Sequence, residues 1–220
     1  SKSWLIVKDE VTKIKAQEEF GDAVNITTEG QRHLGAVIGS SDFKNLYCSA
    51  KVAKWKEELM NLNEIALVYP QKAYAAYTKG YMSKFTYFMR TIDGFHEFLA
   101  PIDEVLNDHF IPTLFGSDSQ LPELREVLEL RTSDGGLGMP ILKSSARHQF
   151  QSSCKITSPH VASIINQEVT MLDKNADGYS QEDLLKQERI KKVARRKKKI
   201  EEVDANVPPD IKILCDTSQR

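Results

Sequence analysis

The aromatic residues Tyr74, Tyr77, Tyr81, Phe85 and Phe88 constrain the fold more than any other feature of this sequence. At about 100° per residue they fall within one narrow sector of a helix. Lys72, Lys79 and Arg90 gather on the opposite side. Such a helix must bury its aromatic face against other elements, so the segment predicts a helical bundle around it. The plain reading of the two faces is an aromatic core face with a solvated outer face. The functional reading lays the basic face along a nucleic-acid backbone, where each Lys or Arg displaces counterions.

The flanking residues supply the partners. Residues 41–116 read as three long helices. Asp42 can cap the first, whose apolar positions are Phe43, Tyr47, Ala50, Trp55, Leu59, Leu62 and Ile65. Pro70 opens the second, at a first turn where its missing N–H does no harm, and Asp93-Gly94 closes it. The third runs from about Phe95 to Phe115 and should break or kink at Pro101 and Pro112.

Residues 1–40 carry strand-like punctuation. Trp4–Val7 is a short apolar run and Asp9–Phe20 reads as a helix. Val24–Thr27 alternates in the strand manner, Glu29-Gly30 is a turn signal, and His33–Gly39 is a second apolar strand. Strand, helix and hairpin make an α+β piece too small to be a stable sheet by itself. Downstream, Leu121–Leu130 looks helical and Asp134–Pro140 must be a tight, glycine-rich loop. Helices are expected around 141–153 and 157–172, a basic helix over about 180–203, and an extended end from Pro208-Pro209. The predicted class is mainly α. A small α+β remnant at 1–40 precedes a three-helix bundle at 41–116, a helical connection at 117–172, and a basic helix with its tail at 173–220.

Charge is unevenly spread. Residues 186–199 hold nine Lys/Arg and one acid, Glu188, and the rest of the chain carries a net charge of −9. A basic block of this kind binds nucleic acid, acts as a nuclear address, or is simply a solvated helix. No stretch approaches the roughly 18 apolar residues of a membrane span, and Ser1-Lys2-Ser3 leads straight into a strand rather than a secretory leader. Cys48, Cys154 and Cys215 are odd in number and far apart, which fits a reduced intracellular protein, cytoplasmic or nuclear. With no initiator Met and no closing signal after Arg220, both ends are expected to be cut from a longer protein.

The sequence shows no complete active site. Asp173–Tyr179 opens like a calcium-binding EF-hand loop, but Leu184 stands where a bidentate Glu is required, so it reads as an exposed turn. The histidines show no metal-ligand spacing. The glycines of 134–140 are not followed by the Lys-Ser/Thr of a phosphate cradle. Two-metal nucleotidyl transfer needs paired carboxylates, and no aromatic-x-Asp-Asp turn occurs.

Several segments, in order, carry a resemblance. They are Ser1–Lys8 (SKSWLIVK), Asn25–Ser40 (NITTEGQRHLGAVIGS), Tyr81–Thr91 (YMSKFTYFMRT), Ile111–Gly116 (IPTLFG) and Gly135–Pro140 (GGLGMP). Together they resemble the post-catalytic part of reverse transcriptases encoded by invertebrate retrotransposons, over about residues 1–170. The resemblance implies that the first strand is the palm motif lettered D, with Lys2 near the incoming nucleotide. It implies a primer grip at Arg32, His33, Leu34 and Gly35, which positions the primer 3′ end. Residues 41–116 would be the thumb, holding an RNA–DNA template–primer duplex through its phosphates. Lys72, Lys79, Lys84 and Arg90 are its candidate contacts, joined by Arg195, Arg196 and Lys197 from the basic block. The fingers, the catalytic aspartates and their Mg ions would precede Ser1 in the same polyprotein. This chain is therefore expected to hold no catalytic residue, metal or cofactor, and to take no small-molecule substrate. The competing reading is a non-enzymatic helical interaction module with a basic nucleic-acid-binding or nuclear-import tail.

Overall fold

A computed structural model of the chain describes residues 3–116, 121–167 and 178–206. Among these the chain is mainly helical, with two two-stranded sheets near its start. Two compact units divide it, Ser1–Glu58 and Leu59–Arg220.

In the first unit, β1 (Trp4–Ile6) pairs in parallel with β2 (Asn25–Thr27), Leu5 opposite Ile26. Parallel neighbours need a crossover, which α1 (Glu10–Phe20) supplies. Asp9 caps α1 by accepting the Thr12 N–H at 2.7 Å, a bond that holds its carboxyl below the usual range. This pairing corrects the expected hairpin of 24–27 with 33–39. The hairpin is instead β3 (Gly30–His33) with β4 (Ala36–Gly39), turning at Leu34-Gly35. Both turn residues have positive φ, +48° and +87°. A two-residue turn with two positive φ values has the twist that antiparallel strands require. At the open end Gly30 faces Gly39, and a Cβ on either would strike backbone or the Phe43 ring. Glu29-Gly30 therefore marks a close approach of two strands rather than a reversal.

The long helix α2 (Ser41–Val68) follows at once. Its cap is Ser40 rather than Asp42, since the Ser40 Oγ accepts the Phe43 N–H at 3.2 Å. Its buried stripe is Cys48, Val52, Trp55, Leu59, Asn63 and Ala66. Ala50 and Ile65, expected on the apolar face, are exposed. Burial pushes the Cys48 thiol up to about 11, so it behaves as a small core hydrophobe.

In the second unit, Pro70 does open α3 (Pro70–Ala76), which runs through a π turn at Tyr77–Tyr81 into α4 (Ser83–Thr91). Gly94, at φ +73°, ends the run. Tyr77, Phe85 and Phe88 are buried, while Tyr74 and Tyr81 are half-buried. The third segment is broken as its prolines require. A 3-10 turn at Phe95–Phe98 leads to α5 (Ala100–Val105), a second π turn at Leu106–Phe110, and α6 (Ile111–Phe115). Pro101 and Pro112 are each the second residue of a helix, where a missing donor is tolerated. The two π turns meet through Tyr77 and Phe110, whose ring centroids lie 5.4 Å apart. The fully buried Tyr77 hydroxyl finds no hydrogen-bond partner among the described residues, and burial pushes its pKa up.

Three side chains fix the glycine-rich loop after α7 (Leu121–Glu129) and the start of the helix that follows it. Buried Arg125 donates to the carbonyls of Met139 (2.7 Å) and Pro140 (3.3 Å). Tyr74 Oη donates to the Leu137 carbonyl at 2.7 Å. Asp103 accepts the N–H groups of Leu142 (2.8 Å) and Lys143 (2.9 Å), capping α8 (Leu142–Asn166) from another helix. Gly136 has no room for a Cβ, which would meet the carbonyls of Val127 and Leu130.

One helix, α8, runs through the break expected between 141–153 and 157–172, with Pro159 inside it, while 168–172 lie outside the described residues. Proline removes the donor to the Lys155 carbonyl. Ser158 Oγ restores one at 2.8 Å, so the helix passes through. The basic helix α9 (Gln181–Asn206) starts at a reciprocal box: Asp183 N–H donates to Ser180 Oγ while Asp183 Oδ2 accepts from Ser180 N–H and Oγ. Its Val203 packs with Val127 and Leu130. Lys2, the EF-hand-like Asp173–Asp177, Pro208-Pro209 and Cys215 lie outside the described residues.

Candidate nucleic-acid interface

The hairpin gathers all four residues expected to form a primer grip. Arg32 and His33 end β3, exposed, and Leu34-Gly35 is the turn. Leu34 is 82% exposed in a left-handed conformation that costs a leucine roughly 1–2 kcal/mol. Tyr47 of α2 steadies the tip by donating its hydroxyl to the Gly35 carbonyl at 2.9 Å. By spacing Tyr47 belongs to an apolar stripe, and nothing local to it signals this second duty. A strained, apolar, exposed tip steadied by a side-chain bond is better suited to binding than to a core.

The second group lies along α3 and α4. Lys72, Lys79, Lys84 and Arg90 are all exposed, while Tyr77, Phe85 and Phe88 of the same segment are buried. Lys72 Nζ sits 4.3 Å above the Tyr69 ring and Lys84 Nζ 4.8 Å above that of Tyr81. A ring face steadies each cation and leaves its charge in place. The π turn at 77–81 interrupts the regular period, yet Lys79, inside it, still faces solvent.

The basic helix divides by face. Arg196 forms a two-pronged ion pair with Asp134 and donates to Ser133 Oγ at 3.1 Å. This pair holds the Asp134 carboxyl below its usual range. Lys199 lies 3.6 Å from Glu126 and 3.5 Å from Glu129. Arg196 and Lys199 thus dock α9 on α7 and the turn after it, whereas Arg195 and Lys197 are exposed. Spacing cannot announce the pairing, because Asp134 lies far away in sequence. Two of the three residues expected to meet nucleic acid here face outward, and the third is a structural ion.

Among the described residues no group of three or more His, Cys, Asp and Glu could hold a metal ion, and no helix is long and apolar enough to cross a membrane. Set against protein-family models, curated proteins and solved structures, the chain matches none of them.

Proposed function

We propose that the chain is the late-palm and thumb portion of a retroelement-type RNA-directed DNA polymerase, with an RNA–DNA template–primer duplex as its ligand. The observation that carries this reading is the α3–α4 segment, which buries Tyr77, Phe85 and Phe88 while keeping Lys72, Lys79, Lys84 and Arg90 exposed. The hairpin supports it, with Arg32, His33, Leu34 and Gly35 together at one tip. In this reading the hairpin holds the primer end and the helical face grips phosphates, a sequence-independent interaction. In this reading the residues of this chain position the template–primer duplex.

The test is binding of the purified chain to a labelled RNA–DNA hybrid across a salt series, beside Lys72→Ala/Lys79→Ala/Arg90→Ala. Removing a cation that neutralises one phosphate should lower the salt slope by about one unit. A triple variant that binds as tightly and as salt-dependently as the parent refutes the thumb reading. One observation favours the interaction-module reading, namely the exposed Arg195 and Lys197 on α9. Hybrid binding that survives the triple variant and disappears on Lys197→Ala, a change outside the α8–α9 groove, would favour it.

A further inference from the structure

A groove of about 330 Å³ runs between α8 and α9. Its α8 wall presents His148, Ser152 and Lys155, and its α9 wall Glu188, Lys191 and Arg195. On each helix these residues repeat every three or four positions, so each set lies on one side of its helix. Three permanent cations therefore face a single carboxylate. Glu188 is already engaged: it accepts Ser152 Oγ at 2.5 Å and lies 3.3 Å from Lys191 Nζ and 3.9 Å from Lys155 Nζ. The Ser152 bond keeps its carboxyl below the usual range, so it stays charged.

Glu188 thus draws two ammonium groups together, one from each wall, and neutralises one of them. Each lysine side chain is still half or more exposed, at 57% and 50%, and an ammonium has three donors to place. Arg195 uses its Nε on the Lys191 carbonyl at 3.4 Å, and the terminal guanidinium nitrogens remain as the fork that suits phosphate. The space is worth roughly ten waters, enough for a phosphate with its sugar.

We propose that the α8–α9 groove is a second phosphate-binding site, taking a phosphodiester group of a nucleic-acid strand through Lys155, Lys191 and Arg195. It rests on the proposed polymerase reading only in naming nucleic acid as the source of the phosphate. The groove uses residues distinct from the α3–α4 face, so the two fail separately.

The test uses the full chain with two probes, inorganic pyrophosphate followed by NMR and a short labelled oligothymidylate strand followed by anisotropy. Pyrophosphate should shift the signals of Lys155, Lys191 and Arg195. Lys155→Gln/Lys191→Gln/Arg195→Gln should weaken the strand at least tenfold at about 50 mM salt and lower the salt slope by roughly two. Lys155→Arg/Lys191→Arg, which keeps the charge and the fold, should retain binding. Three results overturn the proposal: no shift and no strand binding by the parent, a glutamine variant that binds like the parent, or polyglutamate competing as well as the strand. If the glutamine variant is silent while Lys72→Ala/Lys79→Ala/Arg90→Ala abolishes hybrid binding, the groove falls and the thumb reading stands. The reverse pattern spares the groove and removes the thumb reading.

Discussion

Leu34→Asn should make the protein more stable. Leu34 holds φ +48° at the hairpin tip and is 82% exposed, so it carries left-handed strain with little burial to offset it. The strain costs roughly 1–2 kcal/mol for an ordinary side chain. Asparagine tolerates this region, and Asn-Gly is the favoured pair for a two-residue turn. Losing the remaining one-fifth of buried leucine surface gives back about 0.5 kcal/mol at most. The expected net gain is about 1 kcal/mol, or roughly 2–4 °C in Tm for a chain of this size. Denaturant melts should show a raised midpoint with an unchanged slope. The same substitution should weaken hybrid binding, because it replaces the apolar tip proposed to meet the primer. A lowered midpoint would refute the strain argument. Raised stability with unchanged hybrid binding would keep the strain and remove the tip from the interface.

Three further outcomes follow from the packing around the glycine-rich loop. Asp103→Ala leaves the Leu142 and Lys143 N–H groups without their acceptor and should cost about 2–3 kcal/mol by chemical denaturation; a loss below 0.5 kcal/mol, roughly the floor for one hydrogen bond, would mean that water replaces the cap. Gly136→Ala drives a methyl into two backbone carbonyls and should lower stability by more than about 2 kcal/mol, whereas Gly80→Ala, which meets nothing, should not. The Asp134 carboxyl is depressed below its usual value of 3.8 by Arg196, so its contribution is complete above that value and fades as pH falls through the lower, folded one. Asp134→Asn should flatten this acid limb and loosen α9 in hydrogen exchange; an unchanged limb would assign the acid loss to other carboxylates.

The mainly helical class and the helix over 70–91 were legible because aromatic spacing is a local signal. What was not legible depended on partners distant in sequence or on backbone states that residue type does not announce. Glu29-Gly30 looked like a turn because glycine marks turns and close approaches alike, and only the facing Gly39 distinguishes them. The true turn was hidden, since leucine is a poor advertisement for positive φ. The π turns at 77–81 and 106–110 leave no composition signal. The continuity of α8 was hidden as well, since its central polar stretch gives no sign that Ser158 Oγ supplies a donor to the carbonyl Pro159 leaves unpaired. Among the candidate site residues, exposure of Lys72, Lys79 and Arg90 followed from the same periodicity, whereas Lys84 falls beside the aromatic sector and its exposure did not. The docking of Arg196 on Asp134, and the groove that brings Lys155 to Lys191, required α7, α8 and α9 to be placed first.

The proposed duplex grip is tested most directly by footprinting the chain with and without an RNA–DNA hybrid, using lysine and arginine labelling together with hydrogen exchange. A working grip should protect Lys72, Lys79, Lys84 and Arg90 and slow exchange at Arg32–Gly35. Protection confined to α9, with the hairpin and the α3–α4 face unchanged, would contradict it.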